Sequence, residues 1–309
     1  MSGEEVVRVE NLTVRFGRVK ALREVTLSFG AGAWGLLGRN GAGKTTLLRA
    51  LLGLVPPATG RLRVLGREDR LFIRAHVGYM PEGFALFPGM TGFAAVAYAG
   101  RLAGLARRVA KRRAHEMLYF AGLGESRYRP LLGFSTGMVQ RVKLAMALVG
   151  DPALVFLDEP TNGLDPGGRR EMLARIKDLA GEKGKAVVLS SHILADVEDV
   201  CSQAVLLDEG RVSAQGAIRE LTAAAERTRE VLVKGAGDGL EPALERAGYS
   251  LHASRREGDL RRLRVGLPPG KTGKGLLRVL VGAGCQVRSF VEVRRPLEEI
   301  FSGSAGKEG

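Results

Sequence analysis

The strongest chemical signal in the chain is Gly38-Arg39-Asn40-Gly41-Ala42-Gly43-Lys44-Thr45-Thr46. Its spacing, G-x-x-x-x-G-K-[ST], is that of a phosphate-binding loop. Glycines let the backbone wrap closely around an anion with its N–H groups pointing inward. Lys44 supplies a point charge for β- and γ-phosphates, and the Thr45 hydroxyl is placed to ligate Mg²⁺. A second signal is Asp158-Glu159, two acids closing the apolar run 153–157 and followed by Pro160, which stops strand pairing. Adjacent strand residues point to opposite faces, so the acids can take different tasks. Asp158 can hold Mg²⁺ through its water shell, and Glu159 can accept a proton from an attacking water or orient it.

Such residues act only if the right elements hold them. Residues 33–37 read as a buried strand entering the loop, and 46–52 read as a helix leaving it, closed by Gly53. The helix N-terminus adds positive dipole to the loop. Upstream, 6–9, 12–16 and 25–29 read as short strands. Phe16 lies among them, either packed in a core or free to stack on an adenine ring. Residues 61–66 read as a strand and turn, and 77–82 as a strand ending in a loop at Glu82. Helical patterns around 92–104, 107–121 and 136–149 follow without an intervening strand. They imply a helical subdomain, about 88–150, inserted into an α/β core. Buried strands at 153–159, 186–190 and 204–208 alternate with helices at 168–181 and 193–200. The expected core is a mostly parallel sheet with helices on both faces and an antiparallel N-terminal part, ending near 222. Residues 226–303 read β-α-β-β-α-β, a small ferredoxin-like α+β domain. Residues 297–301 read as a closing helix, and 304–309 as a polar tail.

Composition narrows the class. With 309 residues and 45% hydrophobic content, the chain can bury a full core. Cys201 and Cys285 are far apart and form no disulfide framework, so a reducing cytoplasm is the simpler setting. No apolar run approaches the roughly 20 residues that span a bilayer. The net charge of +14 points to nucleic acid, an anionic lipid surface, or a nucleotide. The basic runs carry no base-reading motif, so no specific nucleic acid is expected.

In order and spacing, residues 6–216 resemble the ATPase subunit of ATP-binding cassette (ABC) transporters. Residues 38–46 look like the Walker A loop and 154–159 like Walker B. Phe134-Ser135-Thr136-Gly137-Met138-Val139-Gln140-Arg141 stands at the family signature, usually Leu-Ser-Gly-Gly-Gln. Ser135 and Gly137 are kept, whereas Thr136 replaces a Gly and Met138 the Gln. Asn162-Gly163-Leu164-Asp165 looks like the D-loop, and Ser190-Ser191-His192 looks like the stretch carrying the switch histidine.

The resemblance implies an ATPase using ATP and Mg²⁺, with Glu159 and His192 catalytic and His192 bonding the γ-phosphate. It makes Phe16 the adenine-stacking aromatic and brings Glu82 and Asp165 to the nucleotide. Glu82 departs from the usual Gln; a carboxylate there either ligates Mg²⁺ or is a solvated loop residue. A helix N-terminus at Ser135 in a second copy would face the phosphate through its hydroxyl and the Gly137 N–H. Two ATP molecules would then be sandwiched in a head-to-tail homodimer beneath a separately encoded membrane permease. The expected setting is the cytoplasmic face of the membrane, in an exporter of the ABC-2 type. A non-transport cassette protein acting on nucleic acid or ribosomes is the alternative, favoured only by the basic charge.

Overall fold

The computed structural model describes residues 5–83, 89–181, 184–224, 227–235, 237, 239–268 and 270–293. They form two compact units divided between Ile218 and Arg219. The first unit starts with β1 (Val7–Phe16) and β2 (Val19–Phe29), an antiparallel hairpin. Then come β3 (Ala33–Leu37), α1 (Lys44–Leu51) and β4 (Thr59–Val64). β4 pairs with the free edge of β1, completing an antiparallel sheet in the order β2-β1-β4. Where 6–16 reads as two strands with a gap, the structure has one strand with register shifts between Val9 and Leu12. β2 begins at Val19 instead of Val25; exposed Val19, Lys20, Arg23 and Glu24 leave Leu22 as the one buried residue before Val25, too little to make a pattern.

α2 (Arg70–His76) was not legible, being short and burying only Ile73. Asp69 caps it by accepting from the N–H groups of Leu71 and Phe72. β5 (Val77–Met80) follows, and then α3 (Gly92–Leu102), α4 (Arg107–Phe120) and α5 (Thr136–Leu148). These helices meet the expectation for the inserted part; residues 84–88, at its leading edge, lie outside the described residues. β6 (Leu154–Asp158), α6 (Pro166–Ala180), β7 (Ala186–Ser191), α7 (Leu194–Val200), β8 (Gln203–Asp208) and β9 (Arg211–Ala217) complete the unit. The main sheet runs β5-β6-β7-β3-β8-β9, parallel throughout except for the antiparallel edge strand β9. β6 and β7 are buried along their whole length, as parallel strands with both faces covered must be. Leu36, Leu47, Leu51, Phe156 and Val205 join the side chains of the antiparallel sheet in one core. That core fixes β3 and α1, and so both ends of the glycine loop.

The second unit contains α8 (Ile218–Ala224) from Arg219 onward. It continues with β10 (Arg227–Lys234), α9 (Leu240–Arg246), β11 (Ser250–Glu257), β12 (Leu260–Leu267), α10 (Gly273–Gly282) and β13 (Gln286–Val293). Its sheet is antiparallel, in the order β11-β12-β10-β13. Val231 with Val233 and Leu263 with Val265 are spaced by two along strands, Leu240 with Leu244 and Leu276 with Leu280 by four along helices. Each element thereby presents one apolar face to the same core. The helix read at 297–301 and the tail at 304–309 lie outside the described residues.

Candidate active site

The loop between β3 and α1 is shaped by its glycines. Gly43 has φ 105° and precedes the helix; a Cβ there would lie 2.8 Å from Leu22 Cδ2 and 2.9 Å from the Ala21 carbonyl oxygen. A Cβ on Gly38 would come within 2.5 Å of the Leu207 oxygen. No larger residue fits either position without moving main chain. α1 begins at Lys44, so its unpaired N–H groups and positive dipole end open beside the loop. The Lys44 ammonium is buried and donates to the Gly38 oxygen at 2.7 Å and the Arg39 oxygen at 3.3 Å.

Asp158 is the last residue of β6 and is 0% exposed. It accepts from Ser190 Oγ at 3.0 Å and the Tyr79 hydroxyl at 3.4 Å. Burial, reinforced by the Asp158 charge, pushes the Tyr79 phenol up to about 12, keeping it a donor. Glu159 corrects the expectation that both acids stand on the strand. Its φ is 49°, in the left-handed region, at a cost of roughly 1–2 kcal/mol for a residue with a side chain. Main-chain bonds hold this turn: Glu159 N–H donates to the Ser190 oxygen at 3.1 Å, and Asn162 N–H donates to the Glu159 oxygen at 3.1 Å. The turn, and not strand alternation, sends the two carboxylates apart. Glu159 Oε1 lies 3.1 Å from Lys44 Nζ, an ion pair whose geometry falls short of a hydrogen bond. Its Oε2 accepts from His192 Nδ1 at 2.8 Å.

A cavity of about 400 Å³ opens over the loop. Arg39, Asn40, Gly41, Gly43, Lys44, Thr45 and Thr46 line it together with Glu82 and Glu159. Gly38 and Ala42 shape the loop from beneath, and Asp158 lies below the lining as well. Phe16, at the end of β1, is 52% exposed and outside this lining. Ser135, Gly137 and Asp165 line a second cavity of about 480 Å³. Ser135 caps α5, its Oγ accepting from Met138 N–H at 3.3 Å, which leaves the hydroxyl proton free to donate. Asp165 caps α6 by accepting from Gly168 N–H at 3.0 Å, with Pro166 in the first turn.

Sequence reasoning gave no role to three polar residues around this site: Lys143 was not singled out, and Gln140 and Asn162 were noted only as members of the signature and D-loop stretches. Lys143 on α5 donates to the Glu82 main-chain oxygen at 2.7 Å. Burial pushes its ammonium down to about 8, against the opposing pull of Asp158 and Glu82. Asn162 Nδ2 donates to Glu82 Oε1 at 3.3 Å, and Gln140 Nε2 to the Asn162 oxygen at 3.0 Å. The available signal was a lysine set in the apolar stretch of α5. Among the described residues, no group of three or more His, Cys, Asp or Glu could hold a metal by itself. Mg²⁺ does not need one, since it keeps several waters and binds through one or two carboxylates plus substrate phosphate. The hard oxygens of Thr45, Glu82 and Asp158 fit that ion.

A glycine loop between strand and helix of a mostly parallel sheet, facing an acid-ended strand, defines a P-loop ATPase domain. Residues 22–162 match the family model described as ABC transporter. The ABC transporter ATP-binding protein YxlF of Bacillus subtilis (strain 168) is 36% identical over 86% of this chain and 88% of its own length. The daunorubicin resistance ATP-binding protein DrrA3 of Streptomyces coeruleorubidus is 33% identical over 99% of this chain and 97% of its own. The dimeric structure of a post-hydrolysis state of the ATP-binding cassette MJ0796, bound to ADP and Pi, is similar with a TM-score of 0.62. That alignment has 25% identity and covers 69% of this chain and 99% of the other. The chain belongs to the family of ABC transporter ATP-binding proteins, and it binds and hydrolyses ATP.

Proposed function

We propose that two copies of this chain close head to tail around two ATP molecules and drive a separate membrane permease, in the direction of export. The observation that carries this reading is Glu159, held between Lys44 and His192 at the glycine-loop cavity. The loop N–H groups and Lys44 bind the β- and γ-phosphates. Thr45, Glu82 and Asp158, the last through water, would hold Mg²⁺, which when bound would neutralise phosphate charge. Glu159 takes the proton of the attacking water. Because an ionised carboxylate only accepts, His192 Nδ1–H donates a hydrogen bond to Glu159 Oε2, and Nε2 can then donate to the γ-phosphate only as the imidazolium. Phe16 stacks on the adenine. Ser135, Gly137 and Asp165 of one copy cover the nucleotide of the other.

Three things support the wider assembly. The glycine-loop and signature cavities are separate surfaces of the same unit. A similar cassette is a dimer, and a relative spanning nearly the whole chain is a drug-resistance ATP-binding protein. Among the described residues no helix is long and apolar enough to cross a membrane; in this reading the permease is a separate partner and the chain sits on the cytoplasmic face of the membrane. Lys44→Ala is expected to abolish ATP binding or hydrolysis while far-ultraviolet circular dichroism is unchanged. Wild-type turnover in that variant would overturn the site assignment. Co-purification of the tagged chain with an integral membrane protein tests the transport reading; recovery with ribosomes or nucleic acid instead would favour the non-transport alternative.

A further inference from the structure

Lys143 stands out among the buried side chains that the ATPase reading leaves without a task. It is 3% exposed, in the middle of α5, between Val142 and Leu144, which are both fully buried. A lysine is rarely enclosed to this extent unless opposite charge is near, because removing an ammonium from water costs far more than one neutral hydrogen bond returns. Its ammonium donates to the main-chain oxygen of Glu82 at 2.7 Å, and the acids acting on it are Asp158 and Glu82.

The bond lies inside a closed set of contacts. Gln140, one turn earlier on α5 and 6% exposed, donates to the Asn162 oxygen. Asn162 donates to the Glu82 carboxylate. Two neighbouring side chains of α5 thus grip the loop after β6 and the loop after β5 together. The Ser135-capped end of this helix lines the second cavity, whereas Glu82 lines the first.

We propose that Lys143 is a positioning residue for ATP hydrolysis, clamping the Glu82 loop to the helix that Ser135 caps and matching the charge of the Glu82 carboxylate. The proposal rests on the reading of Glu82 and Glu159 given above. The clamp also bears on the charge of Glu82: its carboxylate lines the same cavity as Glu159, adding negative charge where phosphate must bind, and the buried ammonium acts on it as well as on Asp158.

The test is a double-mutant cycle of Lys143→Met and Glu82→Gln, with steady-state ATPase kinetics at several Mg²⁺ concentrations. Met keeps length and apolar packing while removing donor and charge. Lys143→Met is expected to lower kcat about tenfold, within the range that coupled neighbours show, and to raise the Mg²⁺ needed for half-maximal turnover. KM for ATP should change much less than kcat. In the Glu82→Gln background the same substitution should cost measurably less on a logarithmic scale, because one of the two carboxylates acting on the ammonium is then neutral, while its bond to the main-chain oxygen of residue 82 and the Asp158 charge remain. Lys143→Gln, which keeps a donor without the charge, serves if the Met variant fails to fold; it should show the same dependence on residue 82. Equal losses in both backgrounds, or an unchanged kcat with an unchanged Mg²⁺ curve, would overturn the proposal. Glu159→Gln is run alongside: if it keeps wild-type turnover, the active-site reading fails, and that outcome is separate from additivity in the Lys143 cycle.

Discussion

Glu159 shows how a single residue can be placed by forces that its own side chain does not supply. Its left-handed φ is secured by main-chain bonds to Ser190 and Asn162, and its two carboxylate oxygens are divided between Lys44 and His192. Glu159→Gln keeps the shape and removes the base, so hydrolysis should fall by ~10²–10⁴-fold, the usual contribution of a general base. ATP affinity should survive, because the loop and Lys44 remain and Lys44 loses only its ion-pair partner; single-turnover kinetics and equilibrium binding of a fluorescent ATP analogue measure the two separately. A variant that hydrolyses ATP as fast as the wild type would remove Glu159 from the chemistry. Glycine-loop residues were legible in the sequence because their chemistry fixes their spacing along the chain. The triangle of Glu82, Lys143 and Asn162 was not, because its members meet only through tertiary packing. Nor was the turn at Glu159, since nothing in its residue type demands a left-handed backbone.

At the scale of elements, the legible pieces were those with long or fully apolar patterns. Both buried strands β6 and β7 and the helices α3, α4 and α5 announce themselves by periodicity or composition. α2 and β9 were missed, the first because one buried residue makes no pattern, the second because it is an edge strand with no fully buried residue. A further element-scale device is also tertiary. Asp196 on α7 is 0% exposed, accepts from Thr161 Oγ1 at 2.6 Å and pairs with Arg169 of α6. It ties the turn after β6 to both helices that follow. Arg169→Met leaves the Asp196 carboxylate buried with one hydroxyl partner, and should lower unfolding stability by about 3 kcal/mol. Asp196→Asn in the same background should restore part of the loss, since the stranded group is then neutral. Urea unfolding followed by the fluorescence of Trp34, the sole tryptophan and packed edge-on against Phe29 on β2, reads the first unit directly. Equal stability of Arg169→Met and the wild type would show that the pair contributes nothing net.

At the scale of the whole molecule, the proposed sandwich makes its two cavities complementary halves of one site. The glycine-loop cavity carries the phosphate donors and the base, and the signature cavity offers the Ser135 hydroxyl and the N-terminal end of α5. A head-to-tail pair brings the halves together, with the γ-phosphate as the bridging anion. In Glu159→Gln the bridge is not cleaved, so this variant should run as a dimer in ATP and as a monomer without it at moderate protein concentration. Adding Ser135→Arg should abolish the ATP-dependent dimer, because a long side chain fills the space the phosphate must enter. The substitution also removes a helix cap worth about 1 kcal/mol, too little to unfold a unit with this core. Light scattering across size-exclusion peaks, with and without ATP, distinguishes the outcomes. A dimer that persists unchanged in the double variant would sink the sandwich arrangement. A monomer under all conditions would leave each copy to hydrolyse ATP alone, and the signature cavity would then need another occupant.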